Sequence, residues 1–236
     1  MSSLIIKLIA LLTMTIDHAG VIIFENNLIF RYFGRISFPL FSFLLVEGYL
    51  HTKNNKRRLI RYLLSILLLA LLSEPIYDYL FFGEYFVFVN QNVLFELFIG
   101  LICLIIYDKF SQFLSKIFSI IIIVYISLTC SALNIDYGTY GILLIFGYYL
   151  IRSSSIKDKY KYLLYLLTDI IYILVVYLTS GGNILQIGIL LSLIPIIFYN
   201  GEKGYKSKII QYSFYLYYPI HLLILMLFKM WNYVML

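Results

Sequence analysis

Apolar side chains run in about nine long stretches with almost no charge inside them, and that pattern leaves a chain few folds to choose from. The stretches cover 4–24, 28–50, 59–82, 92–107, 117–134, 137–151, 162–180, 183–199 and 209–228. In hydrocarbon every backbone N–H and C=O must find its partner within the protein, so each stretch is expected to be a helix. The predicted fold is all-α: a polytopic membrane bundle of about nine transmembrane helices, forming a single transmembrane domain over 1–236. The chain is 62% hydrophobic and 13% charged, against about 45–50% and about 25% in soluble domains. No segment is left over for a separate soluble catalytic domain. The fourth and sixth stretches are short enough to be re-entrant or enclosed by protein. The first has a lysine ahead of it, as a signal peptide does, but Asp17 and His18 interrupt it and no small-residue cleavage site follows, so it is expected to be retained.

The basic residues give an independent topology. Apart from Arg31, Arg35 and Lys229, the 18 Lys and Arg residues of the chain fall at Lys7 or in alternate connections, from Lys53 to Arg61, Lys109 to Lys116, Arg152 to Lys161 and Lys203 to Lys208. The other connections, at 25–27, 83–91, 134–136 and 180–183, have none. Positive loops stay cytoplasmic, so the amino terminus is expected inside and the carboxyl terminus outside a multi-pass cell-membrane protein. The net charge of +6 is dispersed over these loops. The lipid bilayer, not a nucleic acid, is the partner it predicts. Cys103 and Cys130 lie within apolar stretches and form no thiol motif, and three histidines without H-x-x-x-H spacing predict no metal site.

Charges within the spans carry more information, because an ionisable group in hydrocarbon costs at least about 2.5–3.5 kcal/mol unless paired or hydrated. At about 1.5 Å per residue, Asp17 and His18 lie roughly 20 Å from the cytoplasmic end of the first helix, and His221 about 18 Å up the last. Arg35 falls roughly 10 Å below the outer surface and Glu74 about 22 Å above the inner one. These five share one layer, with Asp78, Asn92, Glu96, Asp136 and Tyr137 at or just above it, which predicts a polar cavity open to the outside. Residues four apart on a helix share a face, which groups Arg31 with Arg35, Glu74 with Asp78, and Asn92 with Glu96. Pro75 and Pro219 beside Glu74 and His221 each remove a backbone donor and free a carbonyl.

A satisfied salt-bridge network accounts for one such pair; two histidines, an arginine and several carboxylates at one depth point to a site. Imidazole with a neighbouring acid is the usual general base, and Arg or an amide steadies charge developing on an acyl carbonyl. Asp17 and His18 point about 100° apart on their helix, so the acid orienting His18 is expected to be Glu74 or Glu96. The tyrosine-rich stretch 212–218 reads as interface belt or helix packing. No P-loop, G-x-S-x-G or dinucleotide motif occurs, and Gly181-Gly182 marks a turn.

The same residues carry a resemblance. Lys7 to Gly20 with Asp17-His18, then Gly34-Arg35-Ile-Ser-Phe-Pro39, Glu47-Gly48 and His51-Thr52, resemble the TraX family. Ser73-Glu74-Pro75, Gln91-Asn92-Val93, Asp136-Tyr137-Gly138 with Tyr140-Gly141, and Tyr218-Pro219-Ile-His221 follow in the family's order. The named member of that family acetylates the amino terminus of conjugative pilin, and the family looks related to the wider transmembrane acyltransferases. The resemblance implies His18 as general base or acyl relay, with Asp17 and Arg35 close to the reaction.

Topology and resemblance together predict an acyl-CoA-dependent O- or N-acetyltransferase. Glu74 and His221 complete the catalytic layer, and Asn92, Glu96, Asp136 and Tyr137 face the acceptor. The donor, acetyl-CoA, is made in the cytoplasm. Its nucleotide is expected near His51, Lys53, Lys56, Arg57, Arg58 and Arg152, where cations hold phosphates. The acetyl group would pass to an amine or hydroxyl of an exported peptide or surface glycan. Two other classes fit the buried charges: a transporter or flippase that uses them as a path, and a structural partner in a secretion apparatus.

Overall fold

The computed structural model describes residues 1–88, 90–110, 112–179, 182, 184–205 and 207–235, without the side chains of 208, 211 and 232–235. Lys206, and the predicted turn residues 180, 181 and 183, lie outside the described residues, as does the side chain of Lys208. The chain forms α1 (Ser3–Ile22), α2 (Leu28–Gly34), α3 (Ser37–Thr52), α4 (Lys56–Phe82), α5 (Val93–Lys109), α6 (Phe113–Ala132), α7 (Gly138–Ser153) and α8 (Asp158–Thr179). A 3₁₀ stretch (Ile184–Ser192), α9 (Leu193–Ile197) and α10 (Lys208–Met235) follow. Among the described residues there is no strand, only an isolated bridge between Gln91 and Ile135.

Among those residues, six helices are long and apolar enough to cross a membrane: Ser3–Ile22, Leu28–Thr52, Lys56–Phe82, Phe113–Ala132, Asp158–Thr179 and Tyr212–Trp231. Their surfaces are inverted relative to a soluble protein. Leu64, Leu68, Leu71 and Leu72 on α4, Ile121 and Leu128 on α6, and Ile171 and Leu178 on α8 are all exposed, a surface suited to lipid and not to water. This is a membrane protein. The centre is filled by α3 and α7, whose Phe38, Leu40, Phe43, Tyr49, Ile142, Ile145 and Tyr148 are buried.

Two elements differ from the sequence expectation. The run 28–50 is broken at Arg35–Ile36, because Pro39 lacks the N–H that would bond the Arg35 carbonyl and its ring crowds that carbonyl. The eighth run is mostly 3₁₀ helix, a form rarely sustained beyond 3–4 residues. Here Gly188 passes so close to the Tyr32 carbonyl that a Cβ would overlap it. Helix starts follow local chemistry: Asn27, Asn55 and Asn92 each accept a hydrogen bond from the first turn of α2, α4 and α5. Gly83 ends α4 in the left-handed conformation, at φ 81°.

The connections gather by predicted side. Gln91 N–H donates to Asn134 O at 3.1 Å and Asp136 N–H to Gln91 O at 3.3 Å, joining two loops predicted outside. Ser3 N–H donates to Glu202 O at 2.8 Å and Asn200 N–H to Met1 O at 2.9 Å, tying the amino end to a loop predicted inside.

Candidate functional site

The break after α2 sets up an ion cluster. Asp17 on α1 accepts from Arg31 at 3.0 Å and from Arg35, which straddles both carboxylate oxygens at 3.3 Å. Arg31 and Arg35 lie one turn apart, so a single carboxylate serves both. Gly34 makes the approach possible, since a Cβ there would overlap the Asp17 side chain. Asp136, in the loop before α7, lies within electrostatic reach of both arginines and of Asp17. The cluster therefore balances two cations against two carboxylates. The surrounding protein removes enough water to push the Asp136 carboxyl up to about 6, with the Arg35 guanidinium pulling the other way. Tyr137 stacks on Phe38 at 3.8 Å and lines the same space.

About 100° further round α1, His18 meets the last helix. Its Nδ1 lies 2.9 Å from His221 Nε2, and His221 Nδ1 lies 3.1 Å from the Tyr217 carbonyl. A carbonyl only accepts, so His221 Nδ1 carries the proton and, in the neutral ring, Nε2 is the acceptor. His18 must then donate from Nδ1, which leaves its Nε2 with a bare lone pair. Among the described residues that nitrogen has no hydrogen-bond partner, and His18 lines a cavity. The contact is reinforced one turn away: Thr15 Oγ1 donates to Leu11 O at 2.9 Å, so Tyr217 O–H donates to Thr15 at 2.8 Å. His18 is thus oriented by His221, and neither Glu74 nor Glu96 reaches it.

Glu74 belongs to a separate joint between α4 and α5, and Glu96 to the contact between α5 and α7. Asn92 donates its backbone N–H to Glu74 at 3.1 Å and its side-chain amide to Ala70 O at 3.0 Å and to Glu74. Its oxygen caps Leu94. Asn92 is fully buried and committed, so it has no donor free for a substrate. Glu96 is fully buried and packs against Gly141. Asp78 accepts from Val87 N–H at 2.8 Å and holds the outer loop.

Two cavities meet at this layer. The outer one, on the side predicted outside, has about 280 Å³ and is walled by Asp17, His18, Arg31, Arg35, Asp136 and Tyr137 among others. The inner one, on the side predicted inside, has about 710 Å³ and is mainly apolar, with Lys7, His51 and Lys203 in its walls. Met14, Phe41, Val93 and Tyr218 belong to both. Of the expected phosphate-binding residues, His51 lines the inner cavity. Lys53 is paired with Asp108 at 3.0 Å, Arg152 with Glu47, and Arg57 and Arg58 lie exposed in the first turn of α4.

Several residues were not visible as functional from sequence. In the sequence Lys7 and Lys203 are topology markers, and Tyr218 is part of a belt or packing stretch and of a family motif, with no role of its own. Glu47, Asp108 and Asp169 are polar anchors inside the bundle: Glu47 accepts from Tyr199 at 3.0 Å, Asp108 from Tyr49 at 2.9 Å, and Asp169 from Tyr148 at 2.7 Å. The adjacency of Tyr218 to Pro219 and His221 is the signal that could have singled it out.

A family profile described as TraX protein matches residues 2–229. A protein named as a probable fimbrial assembly protein FimC, serogroup H1, from Dichelobacter nodosus is 29% identical over 95% of this chain and 94% of its own length. An uncharacterized protein of Rickettsia prowazekii (strain Madrid E) is 32% identical over 61% of this chain and 54% of its own. No solved structure matches.

Proposed function

The chain belongs to the TraX family, and from that membership we propose that it is a membrane-embedded acetyltransferase. It moves an acetyl group from cytoplasmic acetyl-CoA to an amine or hydroxyl of an exported or cell-surface acceptor. The family's link to pilin acetylation supports a transferase, and the fimbrial-assembly name of the D. nodosus relative supports an exported protein as acceptor. The observation that carries the reading is the bare Nε2 of His18 beside a wall common to two cavities.

In this reading the chain crosses the membrane nine times with its amino terminus inside. Lys7, Lys203 and His51 receive the phosphates of the donor, and the inner cavity takes the pantetheine arm. Lys7 lies roughly 16 Å along α1 from His18, within reach of such an arm. The acceptor enters the outer cavity past Asp136 and Tyr137. Its nitrogen or oxygen attacks the thioester carbonyl carbon while His18 Nε2 takes the proton, and the carbonyl π electrons move onto oxygen. Collapse reforms the C=O bond and breaks the C–S bond, and the leaving thiolate takes the proton from His18. Every proton and electron pair is returned within the cycle. Asp17, Arg31 and Arg35 hold α1 and α2 so that His18 keeps its aim.

Purified protein given labelled acetyl-CoA and extracted envelope acceptors is expected to transfer label and release CoA. If it does neither, the enzyme reading falls; movement of an envelope precursor without acetylation would establish the transporter reading. For orientation, single cysteines at Asn26 and Asn134 should react from outside, and those at Asn55 and Ser154 from inside. Cys103 and Cys130 are buried and give little background. Outside labelling at Asn55 would overturn the orientation and the donor route with it.

A further inference from the structure

Attack on a thioester puts negative charge on the carbonyl oxygen, and the proposed chemistry therefore needs a hydrogen-bond donor beside the junction of the two cavities. The obvious donors are engaged elsewhere. Arg31 and Arg35 bind Asp17, and Asn92 binds Glu74 and Ala70. Of the four residues common to both cavities, Met14, Phe41 and Val93 carry no polar donor. The fourth is Tyr218.

Tyr218 is 5% exposed, and its hydroxyl has no hydrogen-bond partner among the described residues. A phenylalanine would fill that place without leaving a polar atom unpaired, so the bare hydroxyl, like that of Tyr165, is not explained by packing, and of the two only Tyr218 lines both cavities. It lies one helical turn before His221, and its ring meets that imidazole edge-on at 5.3 Å. The element that orients the base thus also carries the free donor.

We propose that Tyr218 is a catalytic residue, whose hydroxyl donates a hydrogen bond to the thioester carbonyl oxygen and holds the charge that develops there. This rests on the acetyl-transfer reading above. As the acceptor adds, the C=O π pair becomes the oxyanion held by the phenolic O–H. When the C–S bond breaks, the pair returns to the carbonyl and Tyr218 keeps its proton throughout. The tyrosine neither gains nor loses an atom.

The test is Tyr218→Phe in the full chain, read by steady-state acetyl transfer and by thermal melting in the same detergent. Loss of one oxyanion donor is expected to lower kcat by about 10²–10³-fold, with KM for acetyl-CoA unchanged. The melting temperature should be unchanged or higher, since an unpaired buried hydroxyl has gone. Unchanged kcat, in an active wild-type background, overturns the role of Tyr218 alone. A fall in melting temperature parallel to the fall in activity also overturns it, because the hydroxyl would then be holding the fold. A wild-type protein that transfers no acetyl group overturns both readings.

Discussion

His18→Ala is expected to lower acetyl transfer by about 10²–10⁴-fold, the usual contribution of a positioned general base, while the protein still folds. The fold should survive because, among the described residues, the imidazole makes one hydrogen bond, to His221, and His221 keeps its own bond to the Tyr217 carbonyl. The change leaves no buried charge unpaired. His221→Ala should fall between wild type and His18→Ala: the base remains, but nothing fixes its tautomer, and part of the population presents Nε2–H to the substrate. Initial rates with labelled acetyl-CoA measure both. A His18→Ala enzyme at full rate would place the base elsewhere.

Asp17→Asn is expected to be the most destabilising single polar change. It leaves Arg31 and Arg35 one turn apart with their hydrogen-bonded counter-charge gone and Asp136 as the remaining carboxylate within electrostatic reach, and breaking a buried pair from one side costs about 3–5 kcal/mol. The Asp17 side chain is 13% exposed and that of Arg35 11%, so water does little to relieve them. Arg35→Leu should cost less, because Arg31 still neutralises Asp17 at 3.0 Å. The double variant should be more stable than Asp17→Asn alone, as one cation has been removed with the anion. Thermal melts of the three variants in one detergent give the order. Equal losses for Asp17→Asn and Arg35→Leu, or a double variant worse than both, would mean the cluster does not act as a charge-balanced unit.

The helices were legible because hydrocarbon forces one solution on a long apolar run. The break at Arg35 was legible in principle from Pro39. The 3₁₀ stretch was not: 184–192 is apolar almost throughout, and without polar punctuation its period cannot be read. What fixes it is contact, the close approach of Gly188 to Tyr32.

The site divides in the same way. Depth along a helix follows from counting, and it placed Asp17, His18, Arg35 and His221 in one layer, where they meet. Direction around the helix depends on neighbours that counting does not supply. Glu74 and Glu96 share that depth yet turn into the α4–α5 joint and the α5–α7 contact, and Lys53 finds Asp108 from a helix 55 residues on. Tyr218 was hidden by composition, since a tyrosine among tyrosines at a helix end has the same sequence signature whether it faces lipid or a cavity.

A membrane that stores energy as an ion gradient tolerates no wet passage between its two faces, and the cavities of this bundle approach one another from opposite sides. Met14, Phe41, Val93 and Tyr218 line both. Three of those side chains offer an ion no substitute for its hydration shell, and an apolar constriction excludes ions by drying out. A thioester carries no net charge and needs no such shell. In the proposed acetyl-transfer reading, the four side chains that bring donor and base together would also insulate the cell's electrical supply, so that chemistry across a bilayer could proceed without short-circuiting it.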